Sequence, residues 1–147
     1  MTTAPRIGIV SISGDLHPRA VVRAIARQRC DALVYVFDVA SLATHPGCFS
    51  ITDSQVHATL MDERGAHVDL STLDAIWWRR HSLTFAASAS EDASHLQLIQ
   101  RDTQTFIEGA FLSSFRGAWV NHPVSAKNAE NKLVQLAAAA QLGIRIP

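Results

Sequence analysis

The sequence predicts an open α/β sheet, mainly parallel and flanked by helices, with an inserted β-hairpin. Three observations support this fold class. Residues 6–39 alternate an apolar run, a helical pattern and a second apolar run, which is typical of a βαβ unit. Two short segments at 57–62 and 66–70 flank Gly65 and predict a hairpin. Beyond them, a tryptophan-rich run, helical patterns and a further short apolar run continue the alternation.

The first half of the chain divides into short elements. Residues 6–13 are apolar and stop at a Gly-Asp pair, so they predict a buried strand. Residues 17–29 predict a helix, because Pro18 suits a first turn, where its missing N–H has no partner. Residues 32–39 predict the parallel partner strand. Residues 41–50 contain a Pro-Gly pair and predict a loop.

The second half continues in the same way. Apolar runs predict strands at 73–80 and 118–123, the second of which stops at a proline. Apolar residues at helical spacing predict helices at 95–115 and 125–142, and a glycine caps the later helix. The small, polar residues 82–94 predict a loop or the approach to a helix.

The composition excludes several functional classes. The 147 residues fit one domain, and 48% hydrophobic residues supply a core. Thirteen basic residues balance 13 acidic ones, which argues against a nucleic-acid or membrane-surface partner. No apolar stretch could span a bilayer and no signal peptide is visible, so we expect a cytoplasmic protein. Cys30 and Cys48 form no CxxC pair and predict reduced, inert thiols.

Polar residues follow each predicted strand of the sheet. Ligands of open α/β sheets bind beyond the carboxyl ends of the strands, an edge that we call the rim. A rim arginine can hold a carboxylate or phosphate through two hydrogen bonds; the alternatives are a salt bridge and a solvated strand end. Strand alternation predicts that the paired tryptophans, and the paired arginines after them, face opposite sides. The expected rim residues are Asp15, His17, Asp38, Arg79, Arg80, Asn121 and His122.

Other patterns give weaker indications. Neither GxGxxG nor GxxxxGK[ST] is present, which argues against a self-contained nucleotide site. The histidines lack the spacing of zinc ligands, and no nucleophilic triad follows from the spacing, so no metal site or catalytic residue is assigned. His17 and His122 remain open as general acids or bases or as turn caps. Arg19, Arg23 and Arg27 share one face of the first helix, which is either solvated or meets an anionic partner.

Two segments resemble a known family. Residues 118–147 carry W-x-N-x-P, then A-x-x-K-x-x-Q-L-x-x-A-x-x-x-G-I-x-I-P, and residues 74–81 contain the run W-W-R-R. The first pattern is similar to the junction between the N-terminal pre-ATP-grasp domain and the ATP-binding domains of ATP-grasp ligases. The ribosomal-protein glutamate ligases and the microviridin-type (graspetide) peptide maturases share it. The W-W-R-R strand and the loop from Gly14 to His17 resemble the maturases in particular.

The resemblance implies a domain division and a chemistry. Residues 1–124 would form a Rossmann-like pre-ATP-grasp domain, and residues 125–147 a connecting helix and the start of absent ATP-binding domains. Such bacterial ligases use ATP and Mg²⁺ to activate a peptide carboxylate as an acyl phosphate, which an amine or hydroxyl attacks. The positions that match substrate contacts are Asp15, His17, Arg79, Arg80 and Asn121, and Lys132 matches a lysine that approaches the ATP phosphates.

The same resemblance sets the expected partners. The chain ends at Pro147, where the ATP-binding domains would begin, so we expect it to be inactive and to bind no cofactor alone. The expected partners are a precursor peptide or protein, the absent domains, and a second copy in a possible homodimer. The alternatives are a stand-alone peptide- or partner-binding module without catalysis and a structural dimerisation domain. The ligase interpretation predicts an exposed apolar surface around Leu142, Ile144 and Ile146.

Overall fold

The computed structural model describes residues 3–145 except Cys30, Pro46, His81 and residues 83–92. A 3-10 turn at Leu70–Thr72 accompanies the regular elements. Within these residues the elements follow in the order β1 (Arg6–Ser11), α1 (Leu16–Gln28), β2 (Leu33–Asp38), α2 (Val39–Thr44), β3 (Cys48–Thr52), β4 (Gln55–Met61), β5 (His67–Asp69), β6 (Ala75–Trp78), α3 (Ala93–Ser114), β7 (Ala118–Val120), α4 (Pro123–Ala129) and α5 (Lys132–Gln141).

The main sheet has four parallel strands in the order β2-β1-β6-β7. This confirms the predicted α/β class and the βαβ unit formed by β1, α1 and β2. The central strand β1 is the most deeply buried, with Ile9 and Val10 fully inaccessible. Gly8 keeps this strand close to its neighbours, because a Cβ there would lie 3.1 Å from Leu73 and 3.2 Å from Phe37. Because all four strands are parallel, their carboxyl ends lie at one edge of the sheet.

An aromatic cluster joins α3 to the main sheet. Trp78 is fully buried and packs edge-on against Phe111 of α3, with ring centroids 5.4 Å apart. Phe37 of β2 meets the same Phe111 ring at 5.5 Å. Trp77 is only partly buried, so the two adjacent tryptophans face opposite sides as predicted. Edge-to-face contacts of this kind contribute beyond the burial of area alone, by roughly 0.5–1.5 kcal/mol per pair.

The predicted hairpin is confirmed as β4 and β5, but it belongs to a three-stranded antiparallel sheet in the order β3-β4-β5. The predicted loop at 41–50 is wrong, because it contains most of α2 and the start of β3. Val39 and Leu42, three residues apart on α2, are buried in the core. Phe49 of β3 stacks on Phe106 of α3 at 4.9 Å. The turn signal itself holds, because Gly47, with φ +84°, lies between α2 and β3, but tertiary packing extends regular structure up to both sides of it.

A buried carboxylate ties the hairpin to the main sheet. Asp62 Oδ1 accepts hydrogen bonds from the backbone N–H groups of Arg64 and Ala66, each at 2.9 Å. Arg64 donates to Asp62 Oδ2 at 3.1 Å and to the carbonyl oxygen of Val34 in β2 at 2.7 Å. The hairpin turn is thus fixed against the edge strand of the parallel sheet.

The predicted single helix at 125–142 is wrong: the chain forms α4 and α5, separated at Glu130–Asn131. The side chain of Asn131 accepts hydrogen bonds from the N–H groups of Leu133 and Val134, which makes it the N-cap of α5. Gly143, with φ +73°, ends α5 as predicted. The predicted domain boundary falls inside α4 and stays a prediction. Among the described helices, none is long and apolar enough to cross a membrane.

Candidate functional site

Asp15 is the centre of a polar cluster at the rim. It follows the short turn after β1 and is the N-cap of α1, where its Oδ1 accepts the backbone N–H of His17 at 3.1 Å. The same oxygen lies 2.8 Å from His17 Nδ1. Oδ2 accepts the Ser11 hydroxyl at 3.0 Å and Arg79 Nε at 2.8 Å. The side chain of Asp15 is only 2% exposed. Its roughly four acceptor positions are therefore filled by groups of the same chain.

Arg79 and Arg80 both approach this carboxylate. They follow the last residue of β6, and both backbone N–H groups donate to the carbonyl oxygen of Val10, at 3.1 and 3.3 Å. Because both N–H groups donate to the same carbonyl oxygen, the regular alternation of side chains along the strand ends here. Both arginine side chains approach Asp15, so the prediction that they face opposite sides is wrong. Arg79 makes the close contact, and Arg80 Nε lies 3.7 Å from Asp15 Oδ2.

The hydrogen bonds fix the charge of Asp15. Arg79 has the largest effect and holds the pKa of Asp15 well below its usual range, although burial opposes this shift. The hydrogen bonds from His17 and Ser11 lower this pKa further. Asp15 is therefore ionised at neutral and mildly acidic pH. A carboxylate that is charged and fully occupied is suited to hold Arg79 in place rather than to contact a ligand.

Arg79 is held from two directions. Its Nε is bonded to Asp15, and its guanidinium carbon lies 5.2 Å from the centre of the Trp77 ring. Within the described residues, its terminal Nη atoms make no further hydrogen bond. The side chain keeps 21% of its surface exposed. An oriented guanidinium with an available edge can bind a carboxylate or phosphate through two parallel hydrogen bonds.

The structure brings together only part of the predicted rim. Asp15, His17, Arg79 and Arg80 form the cluster described above. Asp38 belongs to the neighbouring strand and caps α2, accepting the N–H of Ala40 at 3.2 Å.

Two predicted site residues lie apart from that cluster in the described part of the chain. Asn121 follows β7, is exposed and has a left-handed backbone with φ +62°, and no contact joins it to the two arginines. Lys132 begins α5 and donates to Gln135 Oε1 at 3.0 Å, and no described contact joins it to the cluster. His122 packs against Trp119 with ring centroids 5.3 Å apart. His81 lies outside the described residues.

A cleft lies beside the cluster, between α1 and the carboxyl ends of β1 and β2. Its volume is about 470 Å³. Asp15 lines it, so the cleft and the arginine cluster share one residue. This cleft was not predicted from the sequence, although the serine-rich end of β1 lies next to the basic helix α1 and was a visible signal. Among the described residues, no group of three or more His, Cys, Asp or Glu side chains could hold a metal ion.

Comparison with known proteins finds solved structures that share this fold. No family model and no curated protein matches the sequence. Macrocyclase MdnB from Microcystis aeruginosa MRC superimposes with a TM-score of 0.78 at 19% identity, over 97% of this chain and 46% of its own. Macrocyclase MdnC from the same organism, bound with precursor peptide MdnA, gives 0.78 at 22% identity, over 97% and 45%. The chain shares their fold.

A third solved structure has the same fold. The Chryseobacterium gregarium RiPP-associated ATP-grasp ligase, in complex with ADP and a leader and core peptide, has a TM-score of 0.75 and 20% identity. It matches 97% of this chain and 43% of its own length. The chain therefore spans under half the length of the solved proteins it resembles. The resemblance predicted from residues 74–81 and 118–147 is confirmed at the level of the fold.

Proposed function

We propose that this chain is the N-terminal, substrate-side domain of an ATP-grasp ligase that matures peptides. In such a ligase, transfer of phosphate from ATP to a peptide carboxylate gives an acyl phosphate and ADP. An amine or hydroxyl then attacks the acyl carbon, and phosphate leaves as the amide or ester forms. The observation that carries the proposal is the match of nearly the whole chain to part of two macrocyclases and an ATP-grasp ligase.

The rim cluster supports a role in substrate recognition. Arg79 has a fixed orientation and an available Nη edge, and Arg80, 56% exposed, lies beside it. In the proposed function these guanidinium groups bind a carboxylate of the peptide or its phosphorylated form. Asp15 and His17 position them, and Asn121 contacts a more distant part of the substrate.

In the proposed function, ATP and Mg²⁺ bind mainly outside this domain. No acidic or histidine cluster that could hold a metal is found among the described residues. Lys132 is the residue that matches an ATP-contacting lysine, and it lies on an exposed helix with Gln135 as its partner. We therefore assign both groups mainly to other parts of the complete ligase, with Lys132 as one contribution, and derive no reaction step for them from this domain.

The segment that follows α5 exposes apolar side chains, as expected for a domain that packs against further structure. Leu142 is 79% and Ile144 58% exposed, as the ligase interpretation predicts, while Ile146 lies outside the described residues. A stand-alone binding module that covers this surface within its own chain would not leave these side chains exposed. MdnC is described with a precursor peptide, and the Chryseobacterium protein with a leader and core peptide. We propose a precursor peptide as the substrate here too.

The test begins with the native gene. The reading frame is followed past codon 147, and the full-length product is incubated with ATP, Mg²⁺ and the precursor peptides encoded beside it. We expect an ATP-dependent loss of one water per bond formed, measured by mass spectrometry. A frame that stops after codon 147, or a longer product that leaves every such peptide unchanged, would contradict the proposal.

Arginine variants connect the activity to the rim. We expect Arg79→Leu to lower kcat/KM by at least about tenfold, because two charge-assisted hydrogen bonds to the substrate are lost. Arg80→Glu should also reduce activity and leave the fold intact. Arg101→Leu, on the exposed side of α3, is the matched control and should change activity by less than about twofold. Unchanged activity in Arg79→Leu would refute the assignment of the rim.

A further inference from the structure

The cleft beside the rim cluster has its own set of charges. α1 contributes Arg19, Val22 and Arg23 to its lining, and β2 contributes Val36. Glu63, which follows the buried hairpin residue Asp62, completes the charged lining. A volume of about 470 Å³ is within the range of pockets that hold small ligands. Apolar side chains between charged groups are the usual lining of such a pocket.

The two arginines of the cleft have no acidic partner in the part of the chain that the structure describes. Arg19 and Arg23 are exposed and four residues apart, so they are neighbours on one face of α1. Like charges at this spacing destabilise a helix by a few tenths of a kcal/mol. An anion bound between the two guanidinium groups would remove this repulsion and gain charge-assisted hydrogen bonds.

The acidic residues of the cleft form no ion pair with these two arginines in the described structure. Asp15 is bonded to Arg79, His17 and Ser11, as described above. Asp38 accepts the Ser13 hydroxyl at 2.5 Å, the Ser41 hydroxyl at 3.3 Å and the N–H of Ala40. Glu63 is the remaining carboxylate, and no described residue bonds its side chain. The cleft thus contains two arginines and two carboxylates that lack a cationic partner, Asp38 and Glu63. Neither carboxylate forms an ion pair with Arg19 or Arg23 among the described residues, so both guanidinium groups are available to a ligand.

The geometry at the start of α1 favours a carboxylate over a phosphate. In nucleotide-binding sheets, a phosphate receives the free N–H groups at the N-terminus of this helix. Here the carboxylate of Asp15 accepts the N–H of His17 and occupies that position. A phosphate would meet this negative charge at close range. The arginines lie one turn or more further along α1, where a side-chain carboxylate can reach them.

We propose that this cleft binds an acidic side chain of a peptide, with its carboxylate between Arg19 and Arg23 and its apolar stem against Val22 and Val36. The site is a second peptide contact, separate from Arg79. It rests on the proposed function in one respect, because it takes the substrate to be a peptide.

The binding is tested with the 147-residue chain itself. The probe is a short fluorescein-labelled peptide of alternating glutamate and glycine, blocked at both ends, and its glutamine counterpart is the negative probe. Binding is followed by fluorescence anisotropy at low salt, and each variant is checked by circular dichroism. We expect the double variant Arg19→Glu/Arg23→Glu to weaken binding of the glutamate peptide by at least about tenfold.

Further variants test the assignment. Arg27→Glu makes the same charge change as each single substitution, one turn further along α1 and outside the cleft lining, and should change affinity by less than about twofold. Arg19→Glu and Arg23→Glu alone are the variants of equal charge, and each should weaken binding by more than Arg27→Glu does. Glu63→Gln should strengthen binding by about two- to threefold, because it removes the carboxylate that repels the ligand. If Arg27→Glu weakened peptide binding as much as the double variant does, the peptide would be attracted by the overall charge of α1. That result would overturn the proposal.

The remaining outcomes separate this site from the proposed function. If Arg79→Leu abolishes binding and the double variant does not, the peptide binds at the rim alone and the cleft proposal fails while the proposed function stands. If the cleft variants behave as expected but the ligation assay fails, the cleft binds acidic peptides and the proposed function is refuted. The assignment to a peptide is overturned if inorganic phosphate or blocked free glutamate competes as well as the peptide, or if the unaltered chain binds no glutamate peptide.

Discussion

The rim cluster and helix α5 differ in how their side chains are supported. At the rim, Asp15 is almost fully buried and receives hydrogen bonds from three residues, and Arg79 is held between Asp15 and Trp77. On α5 no residue is buried, and Leu133 is 77% exposed. The core of the chain thus fixes the groups at the sheet edge and leaves α5 uncovered. The positions of the rim groups are therefore fixed by contacts among the described residues, whereas no buried side chain fixes α5.

The largest expected effect compares the loss of stability when one large side chain is removed from the core and one from α5. Trp78→Ala removes the fully buried ring that packs on Phe111, so we expect the free energy of unfolding to fall by about 3–5 kcal/mol. Leu133→Ala removes an exposed side chain and should change it by no more than about 0.5 kcal/mol. Urea denaturation of the 147-residue chain measures both. Comparable losses in the two variants would mean that α5 is packed in solution.

A smaller effect is expected where α5 begins. Asn131→Ala removes the side chain that accepts the N–H groups of Leu133 and Val134, which should destabilise α5 by about 1 kcal/mol. Because α5 is not part of the core, we expect faster amide exchange in α5 and an unchanged global transition. Asn128→Ala, on exposed α4, is the control and should leave exchange in α5 unchanged. A shift of the global transition by Asn131→Ala would show that the two regions unfold together.

The same contrast explains which features could be predicted from the sequence. Apolar runs and apolar residues at helical spacing predicted the parallel sheet, the hairpin and α3. These patterns lie within single elements, because each element must bury its apolar side chains. The loop at 41–50 was wrong because the burial of Leu42 and Phe49 depends on contacts with distant elements. The break at Asn131 was missed because apolar residues continue at helical spacing on both sides of it.

The site was predictable by type but not by geometry. Asp15 and Arg79 could be placed at one edge because parallel strands end together. Their direct bond could not, since 64 positions separate them in the sequence and the irregular end of β6 decides where each arginine points. Asn121 was predicted for the same site from its strand alone, and no contact in the described structure joins it to the cluster. The cleft depends on which charges stay unpaired, and that is a property of the folded chain.

The smallest expected effect concerns the acid stability of the rim. The folded pKa of Asp15 is lowered from its usual 3.8, chiefly by Arg79, so the pair stabilises the fold at a pH above that value. As the pH falls through the folded pKa, Asp15 gains a proton and this contribution is lost. Asp15→Asn keeps the N-cap but not the charge, so the difference in unfolding free energy between wild type and variant should be constant above about pH 5 and shrink below about pH 4.

Asp31 provides the matched comparison for this titration. Its pKa is also lowered, by the hydrogen bond from Arg29, but both side chains are more than half exposed. Solvent screening weakens such a pair, so Asp31→Asn should show a smaller pH-dependent difference than Asp15→Asn. Urea unfolding at a series of pH values, repeated at high salt, measures both differences. Because the Asp15 pair is shielded from solvent, its contribution should also be the less sensitive to salt. Equal pH and salt dependence in the two variants would mean that Asp15 is solvated like a surface residue and does not hold Arg79 in place.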